Sequence, residues 1–266
     1  MYDEYIEKQL LEISKWEQQK PSVVNTGMNK IFSPMSKFTR KVIPEVVVEK
    51  AIYHAHDIGQ KLASKNDILK NAGVNTIEEL RHKDLALSDK LASSVVHKWA
   101  IGFAGSEGFA TGLGGTATMV ADVGAVIVLA FRTIHKIAMC YGYEVKSAED
   151  KEFVLNILSV SGANDMKEKK EALLALKSDF LQKKIIEEVL MSNLVKKVAK
   201  QLGINLTKRK LMQIMPIIGA GIGAAVNASY INDIAWTARR SYQLKWLADN
   251  EYIDLSLIHI SEPTRL

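Results

Sequence analysis

Three charged side chains stand in a stretch that otherwise has the composition of buried helix. Glu107, Asp122 and Arg132 lie between Gly102 and Tyr143, in GFAGSEGFATGLGGTATMVADVGAVIVLAFRTIHKIAMCYGY. An ionised group in an apolar interior must find a partner or shift its pKa. Two kinds of chemistry follow. In one, Arg132 bridges one or both carboxylates and fixes the register of packed helices; in the other, Glu107 or Asp122 titrates and moves a proton or relays an ion. Buried ion networks serve conformational specificity in some proteins, so a structural tie among Glu107, Asp122 and Arg132 is expected, with Asn227 as a further polar member from the second apolar segment.

Other site chemistries fit less well. Six of the sixteen glycines fall between Gly102 and Gly115, and dense glycine can turn backbone amides onto a phosphate. No Lys-Ser or Lys-Thr follows them, so the Walker pattern fails. Gly219, Gly221 and Ala224 spell G-x-G-x-x-A, but LMQIMPII with Pro216 precedes them and no βαβ pattern surrounds them. His54 and His56 are two apart on a predicted helix and point about 200° from each other. With no HExxH and no paired cysteines, they are expected at a surface or interface, and neither a metal nor a cofactor is expected. Ser106, in Gly105-Ser106-Glu107-Gly108, matches a nucleophile elbow only loosely, since that motif needs G-x-S-x-G after a strand.

The elements that must position these residues are helices. Apolar residues make up 47% of the 266 and aromatics only 7%, which favours close-packed aliphatic helices over sheets. Ile6, Leu10 and Ile13 make an amphipathic helix over 2–19, stopped by Pro21. Pro44 opens another, striped by Val48, Ile52, Ala55 and Gly59. Two short helices are predicted over 65–84, longer ones over 84–105 and 115–141, one over 147–159 capped by Ser147, then 167–202 and 208–249. Nothing alternates at period two, so the fold class is all-α: a single multi-helix bundle over 1–254. Ala100, Ala104, Gly108 and Gly112 step by four, as do Gly219, Gly223 and Asn227. Small residues at that spacing let backbones approach, and the two faces are expected to meet as a glycine-rich central helical hairpin.

Several of these residues also form a pattern. Glu107-Gly108, Gly112, Gly114-Gly115, Ala121-Asp122, Arg132 and Tyr141-Gly142-Tyr143, with Trp16-Glu17 and Lys20-Pro21 before them and Pro216, Gly219, Gly223-Ala224 and Asn227 after, resemble the EcsC family across nearly the whole chain. That family is bacterial and often encoded beside an ABC transporter. The resemblance implies a fold and a partner, ABC transporter components, without implying a reaction.

Charge points the same way. Between Lys167 and Lys210 twelve basic residues face five acidic ones, a net +7 in a chain of net +5. A solvated helix face is the plain account of such a run. A lipid- or partner-facing surface, comprising Lys183, Lys184, Lys196, Lys197, Lys200, Lys208, Arg209 and Lys210, is the functional one. Aromatics are not interleaved with these lysines, so nucleic acid is not expected. Leu211 to Asn232 carries no Asp, Glu, Lys or Arg over twenty-two residues, just beyond the ~20 of a bilayer span. Its Gln213, Pro216, Asn227 and Asn232 favour a buried core helix. Tyr141, Tyr143, Trp99, Trp236 and Trp246 flank the apolar segments, as helix-end packing or as bilayer-interface anchors. Cys140 is the single cysteine, which fits a reducing compartment.

The expected function is therefore a non-catalytic cytoplasmic accessory or interaction protein at the inner membrane face, with anionic lipid and an ABC transporter as partners. One alternative is a carrier or sensor of a hydrophobic ligand, with the small residues lining a cleft; another is an enzyme using Glu107 or Asp122. Leu255 to Arg265, LSLIHISEPTR, matches the translation of a transposase mosaic-end adapter, and residues 255–266 are not expected to belong to the fold.

Overall fold

A computed structural model describes residues 4–21, 43–111, 116–181, 188–214 and 220–253, with side chains described within these except at 105–123, 179–189 and 208–226. Every regular element among the described residues is helical. Helix α1 (Glu4–Gln18) turns Ile6, Gln9 and Ile13 inward at helical spacing. Helix α2 (Glu45–Leu62) starts directly after Pro44 and buries Val48, Ile52, Ala55, His56 and Gly59. Helix α3 (Asn66–Ala72) ends on Gly73, whose φ of 65° is the left-handed cap that glycine adopts without a Cβ penalty. A 3-10 turn (Glu78–His82) leads to α4 (Leu85–Leu91), capped by the Asp84 side chain on the amide of Ala86. A π-helical turn (Ala92–His97) joins α4 to α5 (Lys98–Thr111).

Helix α6 (Thr116–Cys140) follows, and then α7 (Ala148–Ser161), opened by a reciprocal capping box between Ser147 and Asp150. Helices α8 (Met166–Leu181), α9 (Glu188–Ile214) and α10 (Ala220–Asp249) complete the chain. The predicted boundaries over 167–249 shift. The predicted break between 202 and 208 is absent, because α9 runs through Gly203 without interruption. Gly203 is buried against Val48, and tertiary packing there outweighs the ~1 kcal/mol that a glycine costs within a helix.

Helix α10 is the central rod. It packs on α5 more extensively than any other helix pair among the described residues, and it also touches α6, α7 and α9. Helix α2 lies along α6, while α9 bridges α2 and α7. The α4–α5 rod runs antiparallel to α10. Asn250 reaches the carbonyl of Arg81 at 3.3 Å, Gln243 reaches Asp89 at 2.6 Å, His97 meets Asn232 at 3.1 Å, and Ala104 shares a cleft wall with Asn227. Ala100 and Ala104 are buried on this contact. The two helices bearing the four-residue steps of small residues are thus packing partners; Gly108, Gly112, Gly219 and Gly223 themselves lie outside the residues whose side chains are described. No helix among the described residues is long and apolar enough to cross a membrane.

Candidate functional site: a sealed carboxylate and an apolar cleft

Asp89 is a buried carboxylate on α4 with three side-chain donors. It accepts hydrogen bonds from the hydroxyls of Tyr141 at 2.5 Å and Tyr5 at 2.6 Å and from Gln243 Nε2 at 2.6 Å. Arg240 Nη1 donates to Gln243 Oε1 at 2.8 Å and to Gln9 Oε1 at 3.1 Å. The α4 carboxylate is thereby joined to the α10 guanidinium through the neutral amide of Gln243, which also bonds Gln9 of α1 at 3.1 Å. Burial, reinforced by Asp89, pushes the Tyr5 and Tyr141 phenols well above their ordinary value. Their protons stay on oxygen, and the two hydroxyls tie α1 and the end of α6 to α4.

The neighbouring residues explain Tyr141-Gly142-Tyr143. Gly142 has a φ of 87°, and a Cβ there would collide with the backbone of Arg81. Arg81 Nη2 donates to the Gly142 carbonyl at 3.1 Å and its guanidinium sits 4.7 Å from the Tyr143 ring centre. The Tyr143 hydroxyl donates to Asp249 at 2.7 Å, and both tyrosine rings stack on Tyr242. Sequence reasoning missed Asp89, although the signal was present: Leu85, Ser88, Asp89, Ala92 and Val96 lie on one helical stripe, and four of the five are apolar or small.

Arg132 lies elsewhere, at a cleft of about 420 Å³ between α5, α6 and α10. The walls are apolar, with Leu62, Trp99, Phe103, Ala104, Leu129 and Ile231. Leu62, Trp99 and Phe103 remain 52%, 44% and 40% exposed, and the two aromatic rings stack with centres 4.9 Å apart. The Arg132 guanidinium lies 3.9 Å from the Trp99 ring centre, and its Nε donates to the Leu62 carbonyl at 3.2 Å. Its Nη1 is buried without a hydrogen-bond partner among the described residues. Burial lowers its pKa, with only Asp67 opposing, and Asp67 is already bonded to Lys136.

The predicted tie among Glu107, Asp122 and Arg132 rests on two carboxylates whose side chains lie outside the described residues. Arg132 makes no ion pair among the described residues: its partners are an indole face and a backbone carbonyl. It is half-buried rather than enclosed, and so is Asn227, which lines the same cleft.

Of the predicted basic surface, Lys196, Lys197 and Lys200 are exposed on α9, whereas Lys183, Lys184, Lys208, Arg209 and Lys210 lie outside the described side chains. Two other lysines of that stretch are not surface charges. Lys169 is buried, donates to the carbonyls of Trp16 at 2.5 Å and Gln19 at 2.8 Å, and is lowered to about 8 by burial. Lys177 pairs with Glu17 at 2.8 Å. The amino-terminal Trp16-Glu17 pair is therefore where α1 is pinned to α8.

His54 is exposed as expected, but His56 is not. It is buried against Phe131 and His135, with ring centres 5.3 and 4.9 Å away, because the close approach of α2 to α6 covers it. Trp99 and Trp236 are exposed, while Tyr141, Tyr143 and Trp246 are core. A second, more polar cleft of about 770 Å³ is lined by Glu12, Trp16, Lys169, Trp236 and Arg240. Its Glu12 is held below the ordinary carboxylate range by the Lys15 hydrogen bond. Among the described residues no group of three His, Cys, Asp or Glu could hold a metal ion.

Comparison with known proteins places this architecture. A family model described as the EcsC protein family matches residues 7–247. The chain is 28% identical over 257 residues to the uncharacterized protein YdbA of Bacillus subtilis (strain 168), covering 90% of this chain and 92% of that one. It is 23% identical over 223 residues to protein EcsC of the same organism, covering 82% and 89%. No solved structure matches.

Proposed function

Since the chain belongs to the EcsC protein family, we propose that it is a non-catalytic interaction protein at the inner face of a membrane, an accessory to an ABC transporter. The observation that carries this reading is the exposed rim of Leu62, Trp99 and Phe103 around an apolar cleft. Large apolar side chains gathered at a surface mark a place where something else docks. Lys196, Lys197 and Lys200 supply an exposed basic surface, attractive to anionic headgroups by about 1 kcal/mol per residue near a membrane. The polar centre, by contrast, is sealed around Asp89 and serves the fold.

Two measurements test it. The full chain floats with vesicles containing anionic lipid at low salt and is released at high salt, because exposed charges are screened over about 8 Å at physiological ionic strength. The triple change Lys196→Glu, Lys197→Glu, Lys200→Glu reduces flotation, and Trp99→Ser reduces what survives the salt wash. Equal flotation with neutral and anionic vesicles would overturn the electrostatic part. Transporter subunits should co-purify from gently solubilised membranes, and their absence would remove the transporter as a partner. A second reading, a carrier or sensor of a hydrophobic ligand, is favoured by the cleft itself, whose volume lies within the range of ~300–1,000 Å³ usual for ligand sites.

A further inference from the structure

We infer that the cleft between α5, α6 and α10 binds a single-chain amphiphile with an anionic head, the head on Arg132 and the chain along Phe103, Ala104, Leu129 and Ile231. This deepens the binding reading above and rests on it. Three observations converge. The cleft is walled by aliphatic and aromatic carbon, and its volume of about 420 Å³ favours one acyl chain over two. Arg132 is the one charged side chain among its described lining residues. Among the described residues that guanidinium is also incompletely used: Nε is spent on the Leu62 carbonyl and one face on Trp99, while Nη1 is buried with no acceptor.

An unpaired buried donor on a cation is costly, and an incoming carboxylate oxygen would satisfy it and neutralise the charge together. A neutral head could accept the bond but would leave the charge uncompensated, and a quaternary ammonium head would leave the donor empty as well. The indole of Trp99 stiffens the guanidinium from one side, so little side-chain freedom remains to be lost on binding. The exposed rim of Trp99 and Phe103 gives the chain an apolar way in. Asn227 adds a second polar group to the wall.

The test uses dodecanoate, below its micelle concentration and without vesicles, titrated calorimetrically into the full chain beside dodecyltrimethylammonium, which has the same chain and the opposite charge. Saturable one-to-one binding of dodecanoate is expected, tighter than the cation by roughly tenfold to a hundredfold, the scale of one charge-assisted hydrogen bond. Arg132→Gln should erase the preference between heads while leaving some affinity for both. Ala125→Trp should abolish both, because Ala125 lines the cleft from an exposed position on α6 where a large side chain fills space without entering the core.

Should Arg132→Gln fail to fold, the head-group comparison on the unchanged protein and Ala125→Trp still decide. No saturable dodecanoate binding, equal affinity for the two heads, or full binding by Ala125→Trp would each overturn the inference. So would dimerisation abolished by Ala125→Trp without amphiphile uptake, which would assign the cleft to a second copy of the chain. Flotation without dodecanoate uptake sinks only this inference; uptake without flotation sinks only the membrane reading.

Discussion

At the scale of single residues, stability concentrates in buried polar groups whose partners are distant in sequence. Asp89 serves three neutral donors and a guanidinium beyond them. Asp89→Ala strands all of these and should cost roughly 3–5 kcal/mol, the range for breaking a buried charged pair, read as a lowered urea midpoint. Tyr5→Phe removes one donor and should cost only about 1 kcal/mol. Histidine sets the pH response. Burial, with a smaller contribution from His56, depresses His135 from an ordinary 6.5 to about 3. Burial and Arg239 depress His97 to about 4. A depressed histidine is neutral in the folded state and protonates on unfolding. Its stabilising contribution is therefore complete above pH 6.5 and declines as pH falls towards the folded value. For His135 alone the loss between pH 7 and pH 5 should be roughly 2 kcal/mol. Urea unfolding at pH 7, 6 and 5 checks it, and His135→Leu should flatten the slope by one histidine's share.

At the scale of elements, close helix contacts depend on particular glycines. Gly59 of α2 faces α6 so tightly that a Cβ would lie 2.7 Å from Phe131 Cβ and 2.8 Å from the Arg132 amide. Backbone cannot swing away as a flexible side chain would. Gly59→Ala should cost about 1–3 kcal/mol by overpacking, lowering the melting temperature while leaving helix content intact. The α5–α10 contact extends the same logic. Its antiparallel register is fixed by the Asp89–Gln243 and Ala104–Asn227 levels; continued at the equal rise of both helices, it predicts Gly108 opposite Gly223. Gly108→Leu and Gly223→Leu should each destabilise by at least as much as Gly59→Ala, and melting of both at the unchanged temperature would mean that the helices diverge there. The four-residue steps of small residues were plain in the sequence; Gly59 was visible only as one member of a stripe, because its tightness depends on which helix lies opposite.

At the scale of the whole molecule, α1 acts as a clasp. Tyr5 and Gln9 enter the network of Asp89, Arg240 and Gln243, and the backbone of Trp16 and Gln19 holds Lys169 of α8. Removing residues 1–21 would strand Lys169 and leave Arg240 with Gln243 alone, so the truncated chain should melt in a broader, lower transition and expose apolar surface to a hydrophobic dye. A sharp transition at the original temperature would show α1 to be an ornament. The same deletion removes Glu12 and Trp16 from one wall of the larger cleft and should leave dodecanoate binding at the Arg132 cleft intact in whatever fraction remains folded.

The amino-acid order alone determined the helices, because apolar spacing, the Ser147–Asp150 box, Gly73 and the prolines act within a few residues of themselves. It also carried the family pattern. Only the tertiary structure decided which polar groups are buried and what they bond. Asp89 finds Gln243 at a separation of 154 residues, and Lys177 finds Glu17 at 160; no local pattern encodes partners that far apart. For the same reason Arg132, a charge on an apolar helix, could be recognised from its neighbours as exceptional, whereas its place over an indole at the end of an open cleft depended on how α2, α5 and α6 came together.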